Sequence, residues 1–546
     1  MKVSTAMVKV LKAEGVEFIT GFPSNPLFEA GANEGIRPIK TRTERVAVNI
    51  ADGYTRATMG KRIGVCATQY GPGIENAFAG VAQAYADSVP ILLLPSGYAR
   101  RELVPPQFSA TRNYREVTKW IEYIGLADRA PDLMRRAFTN LRIGRPGPVM
   151  LELPVDVAEE ECGDGVSHYK AVQRARSAGD PGDVEYVARA LVSAVSPVIR
   201  AGQGILYAGA WEELRELAEL LSIPVLTTMN GKSAFPENHP LSLGTGGRTR
   251  PRAVMEFLKK ADLVFAIGSS CTREMYTAPI PNGTSVIQST VDERDINKDY
   301  PVERAILGDA KLVLRQLIEE VKRLPSPRAR SRGDSVVREI RKVKDAWLAE
   351  WKSKLTSKDT PINPYRVVTD IMKVLKEEDA IVTAESGGPR DQMLPFYESR
   401  TPGSYIGWGK TTTLGAGLGF AMGAKLARPE KTCVWVAGDA AIGMVGMDLE
   451  TSAREKIPIL TIVLNNGLLG GYRKSCPTAS ERYDFNLVSG DYAATAASLG
   501  AGYVENVTEP DRIVPAIVKA KDSLASGRPA LVNIVTAEEL SYSLYA

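Results

Sequence analysis

A carboxylate and a pair of amides end two consecutive apolar segments in the last third of the chain. Asp439 ends CVWVAGD, and Asn465 and Asn466 end LTIVLNN, 26 residues later. One strand–helix–strand crossover takes about that length, so we expect these side chains at neighbouring strand ends, where ligands of open α/β sheets gather. A carboxylate, an amide oxygen and a loop carbonyl form an all-oxygen set that suits Mg²⁺, usually bound together with phosphate oxygens.

Small residues surround this carboxylate. Gly438 precedes Asp439, and Ala440 and Ala441 follow it. Small side chains leave the backbone N–H groups at the start of the next helix open to an anion. Each half of the pattern alone is typical of a surface turn or an Asn-Gly loop, but the two halves at this spacing predict a cation with a phosphate beside it.

The elements that must position these residues belong to three blocks. A chain of 546 residues is too long for one hydrophobic core. Short apolar segments alternate with helical patterns in blocks 1–165, 183–322 and 360–546, separated by a polar linker and a basic, proline-containing linker at 323–334. This alternation predicts the α/β class, with three doubly wound parallel-sheet domains.

The strand-like segments are GVEFITGFP, RIGVCATQYGPG, VPILLLPSG and GRPGPVMLELPVDV in the first block; GQGILYAGA, IPVLTTMNG, ADLVFAIGSS and TSVIQSTVDE in the second; and DAIVTAE, KTCVWVAGD, ILTIVLNNG and PALVNIVTA in the third.

Composition narrows the class of partner. The net charge is +4, from 68 basic and 64 acidic residues, and no basic block with interleaved aromatics indicates nucleic acid. No apolar run approaches the roughly 20 residues that a membrane span needs. The five cysteines are scattered without a CxxC pair, which favours a reducing, cytoplasmic location and argues against a thiolate metal site.

The stretch GDAAIGM followed by the asparagine pair resembles the fingerprint of thiamin-diphosphate enzymes, which is Gly-Asp-Gly and then Asn-Asn. Ala440 replaces the second glycine of that motif. The resemblance implies that Asp439, the side chain of Asn466 and the backbone carbonyl of Leu468 hold Mg²⁺ on the cofactor diphosphate, with Gly438, Ala440 and Ala441 beside it.

The first block resembles the acetolactate-synthase-like group of this family, through TERVAVNIADGYTRAT and GPGIENAFAGVAQAYADSVP. The resemblance implies that Glu44 is the catalytic glutamate and that Asn76 lies at the cofactor. Burial favours the protonated form of a carboxyl group. Glu44 would therefore share a proton with the N1′ atom of the aminopyrimidine, so that the 4′-imino group can deprotonate C2 of the thiazolium.

Two further segments resemble cofactor-binding parts of the family. GKTTTLGAGLGFAMGA (409–424) matches the segment whose bulky side chain supports the bent cofactor, which implies that role for Leu414 and a carbonyl contact from Thr412 to the 4′-amine. ESGGP makes Ser386 and Gly387 candidate neighbours of the diphosphate.

The resemblance leaves the reaction open among related classes. A 2-oxo acid donor is the first hypothesis, although the chain has no histidine before His168 and no tryptophan after Trp435, where decarboxylases and acetolactate synthases of the family use them. GDAAIGMVGMDLET also resembles oxalyl-CoA decarboxylases and 2-hydroxyacyl-CoA lyases, and YRKS (472–475) would then serve a coenzyme A phosphate or be a solvated loop. A non-catalytic relative is the remaining alternative.

The central block has the pattern of a nucleotide domain, which relatives use for FAD, for ADP or for nothing. AIGSSCTRE, with Arg273, and GTGGRTRP (244–251) are its candidate segments. The resemblance also implies a homodimer or homotetramer in which Glu44 and Asp439 of one site come from different chains. Loops 98–114 and 468–485 and the tail EELSYSLYA would face the substrate, the tail as a lid.

Overall fold

The computed structural model describes residues 1–102, 106–163, 165–325, 327–375 and 379–545, with the backbone alone for 327–332. These residues form three parallel sheets of six, six and five strands, each flanked by helices. The predicted α/β class, with three doubly wound parallel sheets, is therefore confirmed. No helix within the described ranges is long and apolar enough to cross a bilayer.

The first sheet has the strand order β2-β1-β3-β4-β6-β5. Its strands are β1 Phe18–Gly21, β2 Arg37–Lys40, β3 Gly64–Thr68, β4 Ile91–Gly97, β5 Trp120–Tyr123 and β6 Val149–Pro154. Its helices are α1 Val3–Ala13, α2 Pro26–Asn33, α3 Glu44–Ala57, α4 Pro72–Ala86, α5 Ala110–Asn113, α6 Ala130–Arg142 and α7 Val155–Ala158.

The second sheet has the order β12-β11-β10-β7-β8-β9. Its strands are β7 Pro197–Ala201, β8 Val225–Thr228, β9 Ser242–Gly246, β10 Leu263–Ile267, β11 Ser285–Thr290 and β12 Arg304–Leu307. Its helices are α8 Pro181–Ser193, α9 Gly204–Ala208, α10 Trp211–Leu221, α11 Arg252–Lys260 and α12 Ala310–Arg323, and α13 Pro327–Leu355 leads to the third unit.

The third sheet has the order β13-β14-β15-β17-β16. Its strands are β13 Ala380–Ala384, β14 Thr432–Gly438, β15 Leu460–Asn465, β16 Tyr503–Val507 and β17 Ala530–Val535. Its helices are α14 Pro364–Leu375, α15 Gly388–Phe396, α16 Ala416–Ala427, α17 Asp439–Val445, α18 Leu449–Arg454, α19 Tyr472–Ser475, α20 Pro477–Tyr483, α21 Tyr492–Ser498 and α22 Ile513–Ser523.

One predicted strand is wrong, and the predicted basic linker is mostly helical. The strand that opens the second sheet is Pro197–Ala201, and GILYA within the predicted strand GQGILYAGA forms α9 instead. Most of the predicted linker 323–334 is helical, because α13 begins at Pro327. Proline suits the first position of a helix, where its missing N–H has no partner to lose.

In the first and third sheets, successive residues of a strand pack alternately into the hydrophobic cores on the two faces of the sheet. In β14, Val434 and Val436 belong to one core, whereas Cys433 and Trp435 belong to the other. A strand buried on both faces is uniformly apolar, which is why the sequence marked these strands clearly.

The first and third units meet where α3 crosses α16. Glycines allow this close approach: a Cβ on Gly53 would collide with the backbone of Phe420, and one on Gly423 with the backbone around Ile50 and Tyr54. The crossing fixes the helix that begins with Glu44 against the helix that follows Leu414 and Gly415.

Candidate functional site

Asp439 and the asparagine loop lie together at the carboxyl edge of the third sheet. Strands β14 and β15 pair in parallel, with Gly438 opposite Leu464. The Asp439 carboxylate accepts hydrogen bonds from the N–H groups of Ala440 and Gly467, both at 2.8 Å. The sequence prediction that Asp439 and the loop after β15 are neighbours is therefore confirmed.

The oxygen atoms at this edge of the sheet are suitable ligands for a small hard cation. Burial raises the pKa of Asp439, and neighbouring backbone N–H groups oppose that rise. The Asn466 side-chain oxygen accepts from the N–H of Leu468 at 3.0 Å, and the Leu468 carbonyl receives no hydrogen bond from a described residue. No three His, Cys, Asp or Glu side chains of the described residues cluster as metal ligands. A cation here would thus depend on one carboxylate, amide and carbonyl oxygens, and a bound phosphate.

A second helix start faces the same edge. Gly387, whose φ of +90° favours glycine, precedes α15, and Ser386 lies beside it. A Cβ on Gly438 would lie 3.6 Å from Pro389 of α15, so the turns after β13 and β14 are adjacent. Ser386, Gly387, Gly438, Ala440 and Ala441 therefore share one edge of the sheet, and their contact with the diphosphate stays a prediction.

Glu385 is a site residue that the sequence analysis missed. It is fully buried, and its carboxylate accepts from the N–H of Ser386 at 2.9 Å, the N–H of Gly417 at 3.1 Å and the indole N–H of Trp435 at 3.1 Å. Burial raises its pKa, and these donors oppose the rise. The signal was a glutamate directly after an apolar strand, which is an unusual place for a charge.

The segment before α16 has the geometry expected of a cofactor contact. Thr412 has a φ of +52°, a conformation that is rare for threonine. Its carbonyl accepts no hydrogen bond from a described residue and is free for a donor such as an amine. Leu414 is partly buried against the core that includes α16.

Glu44 begins α3 at the corresponding edge of the first unit. Its side chain is 6% exposed, and the exposed Asn76 donates to its carboxylate at 3.3 Å. A Cβ on Gly73 would lie 3.4 Å from the Glu44 carboxylate and 2.8 Å from Cγ of Gln69, so both side chains lie close to Gly73. Glu44 and Asn76 are thus brought together as the resemblance implied, and their contact with a cofactor stays a prediction.

Contacts within one chain join these two halves. The Arg45 guanidinium donates to the carbonyl of Leu414. Asp448, three residues after α17, accepts from the N–H of Arg42 at 2.7 Å and from the hydroxyl of Thr43 at 3.3 Å. The residues on either side of Glu44 therefore touch both the segment that carries Leu414 and the segment that follows Asp439.

The tail runs past this site. The Glu538 carboxylate accepts from the N–H of Gly471 at 3.0 Å, and the Tyr542 hydroxyl would lie 4.0 Å from a Cβ on Gly388. Ser543 is buried and exchanges hydrogen bonds with the backbone of Arg250. The tail thus lies between the asparagine loop, α15 and the central unit, and its action as a lid stays a prediction. Ala546 of the tail and residues 103–105 of the predicted loop 98–114 lie outside the described residues.

A cavity opens at the carboxyl edge of the central sheet. It lies between β7 and β10, where the strand order reverses, which is the usual ligand crevice of such sheets. Gly202, Gly204 and Gly268 line its floor, and a Cβ on Gly204 would lie 2.6 Å from the Cα of Gly268. Only glycine permits these two turns to pack so closely.

The cations of this cavity come from all three units: Arg145, Arg174, Arg200 and Lys410. Among the described residues, the Lys410 ammonium donates only to the hydroxyl of Ser270, at 3.2 Å, and burial lowers its pKa. The Arg200 Nε and the Ser289 hydroxyl are buried and have no hydrogen-bond partner in the described part of the chain. Arg273, the sequence candidate, instead stacks on Tyr300 outside the lining, so the cations that line the cavity are different ones.

Comparisons with known proteins agree with this geometry. Residues 1–117, 184–317 and 386–534 match the N-terminal TPP binding, central and C-terminal TPP binding domains of thiamine pyrophosphate (thiamin diphosphate) enzymes. The chain is 31% identical to a probable acetolactate synthase large subunit of Methanocaldococcus jannaschii, over 98% of this chain and 92% of the relative.

Two relatives from Escherichia coli are similar at the same level. Identity is 30% to acetolactate synthase isozyme 3 large subunit of strain K12, over 85% of this chain and 82% of the relative. Identity is 29% to glyoxylate carboligase of strain O157:H7, over 98% of this chain and 93% of the relative. The chain therefore belongs to the thiamin-diphosphate enzyme family, in its acetolactate-synthase-like group, and is an enzyme that uses this cofactor.

Proposed function

We propose that the protein is a thiamin-diphosphate- and Mg²⁺-dependent enzyme that forms or cleaves a carbon–carbon bond next to the carbonyl of a 2-oxo acid, as a carboligase or decarboxylase. The observation that carries the proposal is the packing of α3 on α16, which brings the buried Glu44 and the free carbonyl of Thr412 to the boundary between the two cofactor-binding units.

The residues present fit the cofactor. Asp439, Asn466 and the Leu468 carbonyl would hold Mg²⁺ on the diphosphate, and the helix starts at Gly387 and Gly438 would offer N–H groups to it. The bound cofactor supplies an electron sink for the carbonyl carbon. Glu44 would hold the proton that activates the aminopyrimidine, while Thr412 would accept from its amine and Leu414 would support its bend.

The test is a progress curve with purified protein, thiamin diphosphate, Mg²⁺ and pyruvate, in which acetolactate and CO₂ are both quantified. Acetolactate would identify a carboligase that works without the tryptophan of its relatives, and CO₂ with acetaldehyde would identify a decarboxylase. Aldehydes and glyoxylate would follow as acceptors. Substitution of Asp439 by Asn is the matched control, since it removes the metal carboxylate while keeping its shape.

The alternative is an acyl-CoA substrate, for a 2-hydroxyacyl-CoA lyase or an oxalyl-CoA decarboxylase. Arg473 and Lys474 in α19 are exposed, and neither side chain bonds to a described residue, so both are available to a phosphate. Pyruvate left untouched by protein that binds the cofactor would favour this alternative. Protein whose melting temperature is unchanged by thiamin diphosphate and Mg²⁺ would favour a non-catalytic relative, because saturating ligand stabilises a folded protein by about 2.7 kcal/mol at 100 times its Kd.

We propose a homodimer or homotetramer with active sites at the subunit interface, where the units that carry Glu44 and Asp439, already in contact within one chain, would each also face a second copy. Large apolar side chains are exposed next to the site, including Met444 at 61% and Met447 at 52%. A second copy would cover them, since contiguous exposed apolar surface marks interfaces.

The cysteines of the described chain are all unpaired, which supports a cytoplasmic location.

For the central cavity we propose a phosphate-bearing nucleotide, FAD or ADP. The supporting observation is the partly buried Lys410 ammonium, which forms no salt bridge with a described residue, beside Arg145 and Arg200. The absorption spectrum of the purified protein tests for flavin, and thermal shifts with ADP and FAD test for the rest. No flavin and no shift would leave the cavity without a nucleotide role.

A further inference from the structure

The side chain of Gln83, in α4, and that of Asp87, the residue that follows α4, contact the segment that carries Thr412. Gln83 and Asp87 are separated by one helical turn, and their side chains are 0% and 1% exposed. Both belong to the stretch GPGIENAFAGVAQAYADSVP. They lie in the first unit and bond to residues 409–413 of the third.

Asp87 is saturated with donors. The N–H groups of Gly409 and Lys410 each donate to its carboxylate at 3.2 Å. Arg56 donates at 3.0 Å and Asn230, from the central unit, at 2.9 Å. One buried carboxylate therefore joins all three units at the start of the segment.

Gln83 holds the middle of the segment. Its side-chain oxygen accepts from the hydroxyl of Thr411 at 2.8 Å and from the N–H of Thr413 at 3.2 Å, and its amide donates to Asp87 at 2.7 Å. The bonds to Thr411 and Thr413 bracket Thr412, whose left-handed backbone is otherwise unfavourable for threonine. A conformation of this kind persists only where its surroundings impose it.

We propose that Gln83 and Asp87 are positioning residues, which fix the Thr412 carbonyl and Leu414 in their working orientation before thiamin diphosphate binds. The proposal rests on the function proposed above, because it assumes that Thr412 and Leu414 contact the cofactor. Preorganisation of this kind matters because about 1 Å of misplacement can cost about 100-fold in rate.

The test uses Gln83→Met, which keeps the side-chain length and leaves the buried Arg56–Asp87 pair intact. Asp87→Asn is the second variant. Arg62→Met is the matched control, since Arg62 also joins the first and third units, through the carbonyl of Ala427 at 2.7 Å, but far from the segment in sequence. Hydrogen exchange of residues 409–413 is measured by mass spectrometry in protein without cofactor, and the Kd for thiamin diphosphate and the kcat and KM for the substrate are then determined.

We expect Gln83→Met to speed amide exchange of residues 409–413 and to lower kcat by about 10- to 100-fold, with KM changed little. Arg62→Met should change none of these quantities. The proposal would be overturned if residues 409–413 of Gln83→Met exchanged their amide hydrogens at the wild-type rate. It would also be overturned if they exchanged faster while kcat and the cofactor Kd stayed unchanged. If wild-type protein does not bind thiamin diphosphate, the proposed function fails, whereas the exchange result still decides whether Gln83 orders the segment.

Discussion

Substitution of Gly423 by Ala tests whether the α3–α16 crossing controls the site. The added Cβ would lie 2.9 Å from the carbonyl carbon of Gly53, and closer still to the carbonyl oxygen of Ile50 and the backbone nitrogen of Tyr54. These are backbone atoms, so no side chain can rotate away. The helix that begins with Glu44 must move instead.

Two opposing effects set the change in the free energy of unfolding for Gly423→Ala. Ordinary contact begins near 3.4 Å, so the helices must separate locally by about 1 Å. Overpacking costs about 1–3 kcal/mol, towards the upper end where backbone is met. Alanine in place of glycine in a helix returns about 1 kcal/mol. We therefore expect a loss of about 2 kcal/mol in the free energy of unfolding, and a fall in turnover of about 10- to 100-fold as Glu44 moves relative to Leu414.

The assay is urea unfolding together with steady-state turnover. Gly31→Ala is the control, because Gly31 is a buried helical glycine whose Cβ would have its nearest neighbour at 3.5 Å, an ordinary contact. It should be neutral or stabilised by up to about 1 kcal/mol. If Gly423→Ala matched Gly31→Ala in stability and wild type in turnover, the crossing would not control the site.

Three further predictions concern other parts of the molecule. Glu385→Gln should lower the free energy of unfolding by about 1–3 kcal/mol, because its amide would face buried donors, and the exposed Glu319→Gln is the control in the same denaturation experiment. Burial lowers the pKa of Lys410, so its ammonium loses its proton at a lower pH than that of an ordinary lysine, and the affinity of the central cavity for ADP or FAD should fall as the pH rises through that range. Lys410→Met should abolish this pH dependence in a calorimetric titration. A pH dependence that survives in Lys410→Met would point to another group. Co-refolding inactive Glu44→Gln and Asp439→Ala chains should restore about a quarter of wild-type activity if each site draws on both subunits of a dimer, while no recovery would mean that one chain supplies both residues.

The strands that carry the site were predictable because they are buried on both faces. β14 and β15 read as continuous apolar runs, and each ends in a polar residue at the sheet edge. The edge strands β2, β5 and β16 were missed, since they are partly exposed and lack such runs: β2 reads RPIK, with three of four residues exposed. One face of an edge strand meets solvent, so its composition approaches that of a loop.

The parts of the site built by contacts between units left no local signal. Lys410 and Arg145 are far apart in sequence and meet only because two units pack against the central one. Gln83 and Asp87 lie in a recognisable motif, but their partners at 409–413 depend on tertiary packing. Family motifs could therefore place Glu44 and Asp439, whereas the residues that hold them in place required the fold.

The central claim is that Glu44 activates thiamin diphosphate, and its most direct test compares Glu44→Gln with wild type in turnover of the identified substrate, with the cofactor Kd measured alongside. Glu75→Gln, an exposed glutamate of α4 near the site, is the control. We predict that kcat falls by about 10²- to 10⁴-fold in Glu44→Gln while the melting temperature and the Kd for thiamin diphosphate stay close to wild type. Near-normal turnover by Glu44→Gln would contradict the account.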